Sequence, residues 1–138
     1  FVLSVPNFDS LQSKAFGGAW FHLDAPRHLL HFTQATLDAC LERAGLVRER
    51  DWPFQPEYGI SGWVQSGLNK VLSHHNYLYE VVKDRGALAG TTLLENVGNS
   101  VASLALGAPL GLLSVPIEAV AARANRAAAL TVCARPRD

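Results

Sequence analysis

The stretch "HFTQATLDACLERAGLVRERDW", residues 31–52, holds a helix, both of its ends and the strand that follows. Thr33 is a natural N-cap, because its hydroxyl accepts an amide proton that the first helical turn leaves unpaired. Leu37, Cys40, Leu41 and Ala44 recur at i, i+3, i+4 and i+7, a single apolar stripe. Arg43 in the last turn and Gly45 just beyond it close the helix, since glycine enters the left-handed conformation without a Cβ penalty. Residues 46–52 then read as a returning strand, one that carries Arg48, Glu49 and Arg50.

Outward from this unit the chain alternates. "FVLSV", residues 1–5, is a β-rich run stopped by Pro6 and Asn7, a buried strand emptying into a loop. Residues 8–32 lack a sustained period; Gly17-Gly18 marks a bend and Pro26 disfavours helix at Ala25. Downstream, Pro53 and Pro56 break the chain. From Ile60, the residues Trp63, Val64, Gly67, Leu68, Val71 and Leu72 follow helical spacing to about Ser73. Tyr77, Leu78, Val81 and Val82 extend the pattern after an interruption near His74, His75 and Asn76, and "KDRGALAG", residues 83–90, is a turn region.

Residues 101–117, "VASLALGAPLGLLSVPI", contain no charge and reach the lower edge of a membrane span. Gly107, Pro109, Gly111 and Pro116 interrupt them, which favours a buried helix pair over a membrane-surface or partner-facing hairpin, and either over a span. "AAALTVCAR", residues 127–135, is a further strand. Strand, loop, helix, strand, helical stretch, strand is the order of an α/β sheet protein. Three strands are few for a free-standing sheet of that class. The chain also has no methionine, and together these features read as a piece of a longer protein.

Hydrophobic residues make up 49% and charged residues 17% of the 138 residues, enough apolar surface for one packed domain. Twelve basic residues balance twelve acidic ones, so no global field recruits nucleic acid. Cys40 and Cys133 read as reduced, small core residues of a cytoplasmic protein. No signal-peptide pattern stands at the start.

"LSVPNFDSL", residues 3–11, followed by "FGGAWFHLDAPRHLLHFTQATLDACLERAGL", residues 16–46, resembles the C-terminal half of a bacterial class I S-adenosylmethionine-dependent methyltransferase. The shared pattern is a strand ending in Val-Pro-Asn, then Trp-x-x-Leu-Asp-x-Pro-Arg-His-Leu-x-His-Phe-Thr leading into a helix that ends Ala-Gly-Leu. The resemblance implies a Rossmann-like sheet. Residues 1–52 and 128–138 would belong to it, and residues 53–127 would be a helical insertion facing a lid position, a partner or a membrane. It further implies that the glycine-rich turn and the acidic residue that hold the cofactor lie upstream of Phe1, because Gly17-Gly18 follows a loop and precedes Trp20 rather than a helix. S-adenosylmethionine would then bind a longer parent, and this chain would supply the substrate side for a small or lipid-like acceptor. The competing expectation is a non-catalytic module that dimerises or binds a partner through the exposed half-sheet or its apolar helices.

The residues with chemistry cluster in "WFHLDAPRHLLHFT", residues 20–33. His22, His28, His31 and Asp24 offer donors for zinc, but Pro26 keeps them off a common helical face. Packing, with histidines bonded to backbone, and a substrate-facing role both remain open. If an acceptor hydroxyl or amine must lose a proton, His28 or His31 is the candidate base, since imidazole titrates near neutrality. Asn7, at the end of a strand expected to run parallel to its neighbour, stands where open α/β sheets bind ligands. Trp20 is a pocket or core residue, and Asp24 and Arg27, three apart, either pair with each other or meet substrate.

Overall fold

A computed structural model describes residues 1–24, 26–83 and 91–137. The fold is mixed α/β, with five helices and one three-stranded sheet. Strands β1 (Val2–Pro6), β2 (Leu46–Asp51) and β3 (Ala129–Pro136) lie in the order β1-β3-β2, with β3 antiparallel to both neighbours.

The expectation that β1 pairs with a parallel neighbour is therefore corrected. The chain enters β3 beside the end of β1, where the Asn7 amide donates to the Ala128 carbonyl at 2.9 Å and Pro6 opposes Ala129. A strand that starts where its neighbour stops must run back along it. Consequently β1 and β2 point the same way, with β3 in the slot between them.

Helix α2 (Gln34–Arg43) covers one face of this sheet. Thr33 caps it, its hydroxyl accepting from the Thr36 amide, and Gly45 follows at φ 70°. Leu37 and Leu41 pack on Leu130, Val132 and Ala134, with Leu3, Val5, Phe32 and Leu46 around them. Cys40 is exposed rather than in the core, because its place in the stripe lies beyond the sheet's reach. Cys133 is half-buried, and both thiols are free. On β2, Arg48 donates from Nε to Asp38 at 2.8 Å, and a bulge falls between Arg48 and Arg50. Charge and bulge together blunt an edge strand against further pairing.

Helix α1 (Leu11–Phe16) was not expected; it is too short to display a period, and Ser10 caps it by accepting from the Ser13 amide at 3.0 Å. Helix α3 (Pro56–Leu68) begins earlier than its apolar pattern, at a proline that suits a first turn with no amide to satisfy. Helix α4 (Tyr77–Val82) follows a left-handed Asn76 at φ 59°. Ala25 and the part of the expected turn from residue 84 to 90 lie outside the described residues.

Helix α5 (Leu93–Arg123) replaces the expected helix pair. Pro109 and Pro116 lie inside it, both on the exposed side, where the carbonyls of Ala105 and Leu112 that lose their partners also lie. Thr92 and Glu95 start it with a capping box, amide of each to side chain of the other. Its polarity is reversed. Asn99, Ser103, Ser114 and Glu118 are buried, whereas Leu104 is 80% and Leu112 77% exposed. Gly67 of α3 admits Leu110 of α5, and Gly111 brings α5 against Val64.

Glu118, only 1% exposed, ties this region to the sheet. One carboxylate oxygen accepts from the Ala128 amide at 2.7 Å; the other accepts from Trp63 Nε1 at 2.9 Å and Gln12 Nε2 at 3.3 Å. Gly59 leaves room for this carboxylate, since a Cβ there would collide with the Glu118 side chain.

Candidate functional site

The histidine-rich connection folds over the end of β1 and meets the first turns of α3. Residues 17–19 and 21–23 form two short 3₁₀ turns around Trp20, and Asp24 takes a left-handed conformation at φ 34° that reverses the chain. Between this connection, α3 and α4 opens a cleft of about 550 Å³, lined among others by His22, Arg27, His28, Tyr58, Tyr79 and Lys83. A smaller space of about 130 Å³ continues past His22, His28 and Tyr58 to Val5, Pro6 and Ala129, at the end of β1 and the start of β3.

The three histidines separate by what their ring nitrogens touch. His22 is buried, and its Nε2 donates to the Tyr58 carbonyl at 3.1 Å. Burial holds its pKa below the ordinary 6.5; the Tyr58 bond opposes this, and the nearby His28 adds to it. Gly62 lets α3 approach, since a Cβ there would stand 2.6 Å from His22 Nε2. His31 donates from Nε2 to the Leu23 carbonyl at 3.1 Å and packs beside Trp20 and Phe8, away from the lining of the cleft. His28 lines the cleft and donates from Nδ1 to the His22 carbonyl at 3.1 Å. A carbonyl only accepts, so this bond fixes the tautomer of the neutral ring and leaves His28 Nε2 with no partner among the described residues.

Asp24 and Arg27 pair: Nε and Nη2 of the guanidinium both reach Asp24 Oδ1, at 3.1 and 2.7 Å. Both line the cleft, and the guanidinium keeps donors that Asp24 does not use. Trp20 is 1% exposed and belongs to the packing beneath the connection. Asn7 is also buried. Its amide group donates to the Ala127 carbonyl at 2.9 Å and its side-chain oxygen accepts from the Asp9 amide at 3.0 Å, so both polar ends serve the loop. It lines a small space beside Trp52 and Thr131, outside the cleft.

Of the seven residues singled out in the sequence, the structure thus brings His22, Asp24, Arg27 and His28 to one cleft, with His31, Trp20 and Asn7 outside its lining. The opposite wall comes from residues the sequence did not single out: Glu57, Tyr58 and Ser61 at the start of α3, and Tyr79 and Lys83 at α4. Only the Pro56 start of α3 could have hinted at them, by placing Glu57 and Tyr58 in a first turn. Among the described residues no group of three or more His, Cys, Asp or Glu side chains is arranged to hold a metal ion. No protein-family model, curated protein or solved structure matches the chain.

Proposed function

We propose that this chain is the substrate-side part of a class I S-adenosylmethionine-dependent methyltransferase. The observation that carries the reading is His28, held by the His22 carbonyl with Nε2 unpartnered in a cleft at the end of β1. Methyl transfer needs an aligned acceptor that gives up its proton, and this geometry orients an acceptor hydroxyl or amine and takes that proton at Nε2.

Two features of the sheet support the same reading. β1 and β2 share one direction, as strands joined through a helix in an α/β unit do. The outer edge of β1 has neither bulge nor charge, unlike β2, and Phe1 and Val2 are exposed there. We take that edge as the place where further strands of a larger sheet pair.

The cofactor does not fit this chain. Residues 17–19 are entered from α1 and left at Trp20, so they make no strand–glycine–helix turn. S-adenosylmethionine is therefore assigned to a longer parent, and no step of its chemistry is routed through the residues described.

We further place the protein at a cytoplasmic membrane surface through α5. It is the one described helix long and apolar enough to cross a membrane, and residues 96–117 are uncharged. Small and polar residues toward the neighbouring helix, with leucines outward, is the polarity that lipid favours. The same exposed leucines suit a homodimer, the competing binding-module reading.

The test is an extended protein that includes the residues encoded before Phe1. It is expected to bind S-adenosylhomocysteine and transfer methyl groups. His28→Ala should lower kcat about 100-fold, while His31→Ala should not. An extended protein that binds no S-adenosylhomocysteine overturns the reading.

A further inference from the structure

Beside the polar cleft runs a second cavity of about 180 Å³, between α3 and α4, lined by Val64, Leu78 and Val82 and by Phe21, Ser61 and Tyr79. The last three also line the cleft, so the two cavities share a wall. Phe21 and Tyr79 form that wall with ring centroids 5.0 Å apart. The cleft presents Arg27 and Lys83 together with Asp24, Glu57, His22 and His28. The groove presents almost only carbon. From Val64 the apolar surface passes to α5 at Gly111 and its exposed leucines.

We infer that cleft and groove form one site for an amphiphile with a phosphate-class head and an apolar chain. This deepens the proposed function by naming the class of acceptor, although the binding it describes does not require methyl transfer. Arg27 is fixed by Asp24 through Nε and Nη2, which consumes the Asp24 charge and leaves Nη1 and one Nη2 hydrogen for a ligand. A guanidinium held in this way meets phosphate oxygens through a planar fork. Lys83 has no carboxylate partner among the described residues and stands 5.9 Å over the Tyr79 ring, at the junction of the two cavities. Glu57, on the α3 wall, accepts hydroxyls of a polyol carried by the same head. The chain lies along Phe21, Val64 and Val82, and its exit meets the α5 face, so a ligand can enter from a membrane without passing through water.

Phospholipids and isoprenoid phosphates share this chemistry. The experiment titrates the chain with monomeric dodecyl phosphate, inorganic phosphate, dodecyltrimethylammonium and farnesyl phosphate, followed by calorimetry. Dodecyl phosphate is expected to bind at least about tenfold more tightly than either inorganic phosphate or dodecyltrimethylammonium. Farnesyl phosphate binding more tightly than dodecyl phosphate assigns the chain to the isoprenoid class; the reverse order assigns it to acyl lipids.

Lys83→Glu should weaken dodecyl phosphate about tenfold and strengthen dodecyltrimethylammonium. Val82→Asp, at a side chain 73% exposed on which the fold does not depend, should weaken both alkyl ligands. Equal binding of the two head charges, or affinities unchanged in both variants, overturns the inference. A longer parent that binds dodecyl phosphate but transfers no methyl group would sink the methyltransferase reading and leave this one standing.

Discussion

The sheet end and the helical end of this molecule differ in how much polar surface they bury. Under α2 the core is wholly aliphatic: Leu37, Leu41, Leu130, Val132 and Ala134. Between α1, α3, α4 and α5 the interior combines buried carbon at Leu68, Tyr77 and Ala121 with a polar network. Gln65 bonds to Asn69 at 2.8 Å, Asn69 to Asn76 at 2.9 Å, and Glu118 accepts from three donors. Exposure is reversed as well, with Glu49 and Arg50 outward on β2 and Leu104 and Leu112 outward on α5. The first region is stabilised by removing carbon from water. The second adds directed hydrogen bonds and close backbone approach at glycines, and leaves the leucines of α5 exposed.

The largest effect that should separate the two is at Glu118. Glu118→Leu leaves the buried Ala128 amide and the Trp63 indole without an acceptor, and should cost about 4 kcal/mol. Denaturant unfolding measures it, and a cost below about 1 kcal/mol would mean the polar interior is incidental. Leu41→Ala in the aliphatic core should cost about 3 kcal/mol by the same measurement. Leu104→Gln removes the same leucine side chain from an exposed position of the helical end and should change stability in water by less than about 0.5 kcal/mol.

Acid should act on the helical end first. His22 has its pKa lowered in the fold, so the unfolded chain binds more protons between the folded value and 6.5. Stability is then full above 6.5 and declines as pH falls below it. Near-ultraviolet circular dichroism of Trp20, whose ring lies 5.8 Å from that of His22, reports the transition. A His22→Gln variant should lack that decline, and an unaltered pH profile would remove His22 from the account.

What the sequence made legible follows the same division. Thr33, Leu37, Leu41 and Gly45 announced α2 because capping and an apolar stripe are local signals, and they meet a sheet that wants carbon. The strand positions were legible for the same reason. The direction of β3 was not, because pairing Leu3 with Val132 or Pro6 with Ala129 joins residues more than a hundred positions apart. α5 was mistaken for two helices because Pro109 and Pro116 were weighed as breakers without knowing that both face outward. Its true stripe, Asn99, Ser103, Gly107, Gly111, Ser114 and Glu118, stands in the sequence at steps of three and four. A hydrophobic period does not reveal it, because the buried face of this helix is polar and small rather than apolar. At the site, Asp24, Arg27 and His28 came from one dense segment, whereas Tyr58 and Lys83 reach the cleft only through the packing of α3 and α4.

The proposed lipid-facing role rests on the outward leucines of α5. Vesicle flotation of the purified chain tests it most directly, with Leu104→Lys/Leu112→Lys as the comparison. The account predicts that the wild-type chain rises with the vesicles and the double variant stays in solution, with the two unfolding alike in denaturant. A wild-type chain that remains below the vesicles as a stable dimer, and becomes a monomer in the double variant, would contradict it and assign that face to a second copy of the chain.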